Sequence, residues 1–191
     1  MKLEPVTLTG RFVRLEPLTT GNRDEVRAAL DCDPDAWSIM VNVGCGEHFE
    51  RWWAQATDGR GLPFAVRRRT DGRVVGTTGY YEIAPAHRRV EIGGTFYAPA
   101  ERGGPLNPEA KRLLIGHAFD QGAARVEFVT DAINGRSRAA LTKLGAVEEG
   151  VLRRHKTTWT GRVRDTVMFS IIPEEWPAVR DRLDARLAAF G

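Results

Sequence analysis

Cysteine is scarce in this chain, with two residues in 191, Cys32 and Cys45. That pair forms neither a zinc-ligand pattern nor a redox Cys-x-x-Cys, so a disulfide scaffold, a zinc module and a thioredoxin-like site are set aside, and no metal is expected. Long apolar runs are missing as well. No stretch approaches the ~20 residues needed to span a bilayer, and Met1–Pro5 lacks the apolar core of a signal peptide. The expectation is a cytoplasmic protein with no membrane partner. Neither the P-loop pattern nor Gly-x-Gly-x-x-Gly occurs. Internal repeats and low-complexity tracts are absent. A strong charge excess is missing too: 28 basic against 25 acidic residues give a net +3. The arginine runs at 67–69, 88–89 and 153–154 are interleaved with acids. That reads as a solvated surface and makes nucleic acid an unlikely partner.

What is present is an ordinary globular composition, 42% hydrophobic and 28% charged. The length fits one domain over 1–191, with a core of about 8–172 and a terminal helix over 174–190. Alternation marks a strand at Phe12–Leu18, and short helices follow at Asp24–Leu30 and Glu47–Ala56. Phe64–Arg67 and Val74–Tyr81 flank an Asp-Gly turn and read as a hairpin. Further strands read at Val90–Tyr97, Arg125–Thr130, Gly150–Thr158 and Arg164–Ile172. Helices intervene after Asn107 and at Ser137–Leu144, where Gly145 supplies the C-terminal stop. The class is α/β (α+β): a single mixed, largely antiparallel sheet flanked by helices.

Val90 to His117 carries the clearest chemical signal. A strand feeds a Gly- and Pro-rich loop, Ala98–Leu106. A helix then opens with Asn107 as N-cap and Pro108 in the first position. Backbone N–H groups in such a loop, backed by the helix dipole, make an anion site suited to a pyrophosphate. Arg102 and Lys111 add side-chain charge. The plainer alternative is a connection that uses glycine and proline only for turning.

A second crossover reads Asn134-x-x-Ser137-x-x-Ala140-Leu141-x-x-Leu144-Gly145-Ala146. With Glu91-Ile92-Gly93, Glu109-Ala110-Lys111, the opening Thr9–Leu18 and the close Glu149–Arg153, it resembles the GNAT superfamily of N-acetyltransferases. The nearest branch is the Rim-type ribosomal-protein N-terminal acetyltransferases, and the likeness runs from about Leu8 to Trp176. It departs at the phosphate loop, which in the superfamily reads Arg/Gln-x-x-Gly-x-Gly/Ala. Here Gly104 takes the first glycine, Leu106 stands at the second, and Glu101 falls near the Arg/Gln. Pro105 and Pro108 carry no N–H, which leaves Gly103, Gly104, Leu106 and Asn107 as donors.

The resemblance implies acetyl-CoA as co-substrate and direct transfer to an amine, either a protein N-terminus or a small molecule. Glu91 would be the general base, against the alternative of an ion pair with Arg88 or Arg89. Ser137 would be the acid, against a plain helix-start role. Asn134 and the backbone of Phe96 and Tyr97 would hold the pantetheine arm, with Arg102, Lys111 and Arg138 reaching phosphates. Trp37, Trp53 and Tyr80 are assigned to the acceptor side, where core packing is the alternative for the tryptophans. The irregular loop and the lack of a tyrosine between Asn134 and Leu144 motivate a rival reading, an inactive GNAT-fold protein that binds CoA or another ligand. A homodimer is the expected assembly.

Overall fold

The computed structural model describes residues 1–190. Its strands are β1 (Leu8–Thr9), β2 (Val13–Pro17), β3 (Leu62–Arg68), β4 (Val74–Ala84), β5 (Arg89–Tyr97), β6 (Arg125–Asp131), β7 (Val147–Thr157) and β8 (Val163–Ile171). They form one sheet in the order β1-β2-β3-β4-β5-β6-β8-β7. Every pairing is antiparallel except β5 with β6. That parallel step needs a crossover, and α3 (Leu106–Asp120) supplies it. The other helices are α1 (Arg23–Leu30), α2 (Phe49–Ala56), α4 (Gly135–Leu144) and α5 (Trp176–Ala188). The expected mixed, largely antiparallel sheet with flanking helices is what forms. The short β1 and a 3-10 segment at Pro34–Ile39 were not foreseen.

Alternation along the strands splits the apolar residues between two faces. Val13, Leu15, Phe64, Val66, Val90 and Ile92 pack with Leu114 and Ile115 of α3 and Val179 and Leu183 of α5. Ala65, Val74 and Phe96 face the other way, against Val26 and Leu30 of α1, Phe49 of α2 and Trp37. The split depends on two irregularities. In β4 the register moves from Val66↔Gly76 to Arg67↔Val74, which leaves one extra residue. In β5 it moves from Gly79↔Gly93 to Thr77↔Phe96, so two residues, Gly94 and Thr95, bulge opposite Thr78. Gly94 takes φ +58 there, and a Cβ would collide with the Tyr81 hydroxyl, so glycine is the residue that fits.

The helix starts follow local chemistry. Asn134 caps α4: its side chain accepts the Ser137 N–H at 3.0 Å. The helix therefore begins two residues before Ser137. Gly145, at φ +99, ends it as expected. At α3 the expectation is corrected. The cap position is Pro105, whose carbonyl accepts the Glu109 N–H at 3.0 Å, so the helix starts at Leu106 and Asn107 lies inside it. Glu109 reaches back to the first strands, and its carboxylate accepts the N–H groups of Arg11, Phe12 and Val13 at 2.7, 2.6 and 2.7 Å.

Candidate functional site

β5 and β6 pair only at Arg89↔Arg125, Val90↔Val126 and Glu91↔Glu127. Beyond Glu91 they part, while β5 stays on β4 as far as Tyr97 and β6 stays on β8 as far as Asp131. The result is a wedge inside the sheet, with strand edges facing each other across it. Unpaired backbone groups inside a sheet want partners, and an extended ligand can supply them. α3 follows the end of β5 and α4 follows the end of β6, so both helix N-termini stand at the open end.

Glu91 sits at the apex, on the face that carries α1 and α2. No cation lies within ion-pairing distance among the described residues: Arg89 bonds Glu127 instead, at 2.9 Å. Burial pushes the Glu91 carboxyl above its usual range. Lys156 opposes that shift, Glu82 and Glu127 add to it, and Arg164 opposes it more weakly. Tyr81 is its cross-strand partner. The ring lies along Gly93 and Gly94, and burial pushes its pKa up to about 12, helped by the charge of Glu91. The phenol stays protonated and can donate.

Tyr80, assigned to the acceptor side from sequence, is instead on the opposite face. It is fully buried, and its hydroxyl donates to the Leu114 carbonyl at 2.6 Å. The β4–β5 register, with Tyr80 opposite Ile92 and Tyr81 opposite Glu91, sets this parity, so Tyr81 takes the place proposed for Tyr80. Trp37 stays on the Glu91 face but takes the core-packing alternative. It is 4% exposed, stacks on Phe96 at 4.8 Å and 9°, and donates through Nε1 to Leu30 O. Trp53 packs with Phe49, Trp52 and Arg23. Both belong to the α1–α2 core.

Lys111 does not reach a phosphate. It points inward from α3, and its Nζ donates to Thr95 Oγ1 at 2.9 Å and Thr78 Oγ1 at 3.4 Å, directly beneath the β5 bulge. Burial pulls its pKa down to about 7, against the field of Glu91. Arg138 pairs with Glu148 at 3.2 Å. Arg102 stands beside the loop, but Nε donates to Tyr97 O at 3.0 Å and Nη2 to Asp33 at 2.6 Å. Arg102 thus fills one of the two acceptor positions of the Tyr97 carbonyl. The loop keeps its backbone donors. Gly103 has φ +85, and Leu106 and Asn107 open the helix. Asn107 Oδ1 is buried with no partner among the described residues. Asn134 has given Oδ1 to its cap, which leaves its amide NH2 for a ligand. The Ser137 hydroxyl makes no hydrogen bond among the described residues, in the first turn of α4.

Two contributors were missed from sequence. Arg164 of β8 shares the Glu91 face, because Val167, Phe169 and Ile171 in the opposite phase pack toward α3. The β7–β8 hairpin tip crosses to the α1–α2 side, where Trp159 Nε1 donates to Trp37 O at 2.7 Å. A carboxyl of raised pKa at the apex of a backbone-lined wedge is suited to taking a proton at neutral pH.

Residues 13–147 match the acetyltransferase (GNAT) domain. A GCN5-related N-acetyltransferase from Brucella melitensis superposes with a TM-score of 0.91 at 32% identity, over 98% of this chain and 87% of that one. RimJ of Mycobacterium smegmatis, solved in complex with CoA-disulfide, gives 0.78 at 26% identity over 95% of each chain. An uncharacterised N-acetyltransferase of Bacillus subtilis strain 168, YoaA, is 32% identical over 114 residues. Those residues are 59% of this chain, and the chain covers 63% of that relative.

Proposed function

The chain belongs to the GNAT acetyltransferase family, and we propose that it moves an acetyl group from acetyl-CoA to a primary amine by direct transfer in a ternary complex. The observation that carries this reading is Glu91, partly buried and without an ion pair, at the apex where β5 and β6 part. In this reading 1–191 works as one domain in the cytoplasm. The acceptor is a protein N-terminus or a small amine.

The residues present fit a CoA thioester. The wedge offers strand edges to the pantetheine arm, and the free amide hydrogens of Asn134 can meet one of its carbonyls. Backbone N–H groups of Gly103, Gly104, Leu106 and Asn107 face the pyrophosphate, with the α3 dipole behind them. Glu91 takes the proton that the acceptor ammonium must lose before its nitrogen attacks the thioester carbonyl. Ser137, with its hydroxyl unengaged, returns a proton to the departing sulfur. Lys111 and Arg138 have no phosphate role in this scheme.

One observation favours the second reading, a CoA-binding protein without turnover: Arg102 is already held by Asp33 and Tyr97. Calorimetric titration with acetyl-CoA, with ATP as control, followed by thiol release against an amine panel separates the two. One-to-one binding with release supports transfer. Binding without release across the panel supports the second reading, and absence of binding at millimolar acetyl-CoA overturns both.

A further inference from the structure

Arg164 is the one arginine in the buried class among the described residues, at 7% exposure. A buried guanidinium is expensive unless it is paired. Yet its single protein hydrogen bond is from Nε to Thr166 Oγ1 at 3.2 Å, and no described carboxylate lies within ion-pairing distance. Nη1 and Nη2, the two prongs that grip a carboxylate side by side, have no acceptor among the described residues and keep access to solvent. The obvious candidate, Asp131, is taken by Arg162 and also accepts the Ile133 N–H at 3.2 Å. Burial lowers the Arg164 pKa, while the fields of Asp131 and Glu91 hold it up and that of Arg162 adds to the lowering.

Glu91 and Arg164 therefore share a face and feel each other's charge, yet they do not touch. Lys156, opposite Arg164 in the β7–β8 ladder, is the strongest single charge felt by Glu91, and Glu82 and Glu127 oppose it. The Trp159–Trp37 contact bridges the same face. A partly buried anion and a buried cation, neither in an ion pair and held apart on one face, suit a ligand that carries both charges. The CoA phosphates are a poor match, because the α3 N-terminus packs on the opposite face.

Resting on the N-acetyltransferase reading, we infer that the acceptor is a small amine bearing a carboxylate of its own, with Arg164 gripping the carboxylate while Glu91 meets the amine. The ligand class is amino acids and related amino carboxylates.

The test compares L-alanine, L-phenylalanine and L-glutamate, each beside its α-amide and its decarboxylated amine, by thiol release from acetyl-CoA. In parallel, binding of the same compounds is followed through tryptophan fluorescence, which needs no turnover. The expected result is a preference of roughly tenfold or more for at least one free acid, set by a bidentate charged contact. Arg164→Met should bring that preference to about one, and Arg164→Lys should keep part of it. Turnover of amines with no gain from the carboxylate overturns the inference and leaves the transferase reading standing. Carboxylate binding that depends on Arg164, without thiol release from any acid, amide or amine of the set, upholds the site and removes the transferase reading. A preference that survives in Arg164→Met, or weaker acetyl-CoA binding in that variant, assigns the guanidinium elsewhere and overturns the inference. The wild-type comparison decides even if the variants unfold.

Discussion

The two ends of the wedge differ in how their charges are engaged. At the loop end Arg102 holds Asp33, Arg68 holds Glu101, and Glu109 is filled by three backbone donors. Glu91 at the apex, and Arg164 on the same face beyond the Asp131↔Thr166 pair, have no ion-pair partner among the described residues. At the loop end side chains fix the backbone, and in the proposed reading that backbone meets the ligand. In the proposed reading the Glu91 face is the reactive site, where unpaired charge is tolerated because substrates complete it.

The largest break in this contrast should come from Glu91→Gln. The amide keeps the shape and removes the base, so kcat/KM should fall by about two to four orders of magnitude with acetyl-CoA affinity held. The wild-type rate should drop as pH falls through the Glu91 pKa, since the working form is deprotonated. Burial places that limb above the ordinary 4.5. A profile measured from acid to neutral pH in both proteins checks this, and an unchanged limb in the variant would remove Glu91 as its source.

Lys111→Met comes next. Between about 7 and 10.5 the folded protein holds fewer protons at this lysine than the unfolded chain does, so stability should rise with pH across that window. The variant should lose the rise, an effect on the order of a few kcal/mol. Urea midpoints at several pH values would show it.

Smaller again is the contest between proton donors. Ser137→Ala should lower kcat about tenfold, and Tyr81→Phe should lower it less, if Ser137 serves the sulfur. The reverse order would hand that role to the phenol beside Gly94. Least of all, Asp33→Asn should loosen Arg102 and lower stability by about 1 kcal/mol or less, read as a shift of a few degrees in Tm.

Much of this architecture is legible in the residues. Alternation found the main strands, Gly145 marked a helix end, and the Glu91-to-Asn134 motifs placed the wedge. The errors arise where position depends on register or on tertiary contact. Tyr80 and Tyr81 are adjacent and chemically alike. Only the β4–β5 register decides which one faces Glu91, and no local sequence signal announces it. Lys111 was assigned to phosphates by its charge. Its helical spacing from Leu114, Ile115 and Ala118 puts it on the sheet-facing stripe, and that spacing was the better guide. Arg164 lies in a strand with polar neighbours, and nothing local separates a buried arginine from a surface one.

Glu109 gives the loop end a property that affinity alone would not reveal. Its carboxylate latches the first turn of α3 to the start of β2, so a tilt of the helix start would strain three hydrogen bonds at once. The amides of Leu106 and Asn107 are thus aimed before any ligand arrives. The entropy of arranging them is met when the chain folds, and in the proposed reading binding of the cofactor begins from a pre-organised cradle.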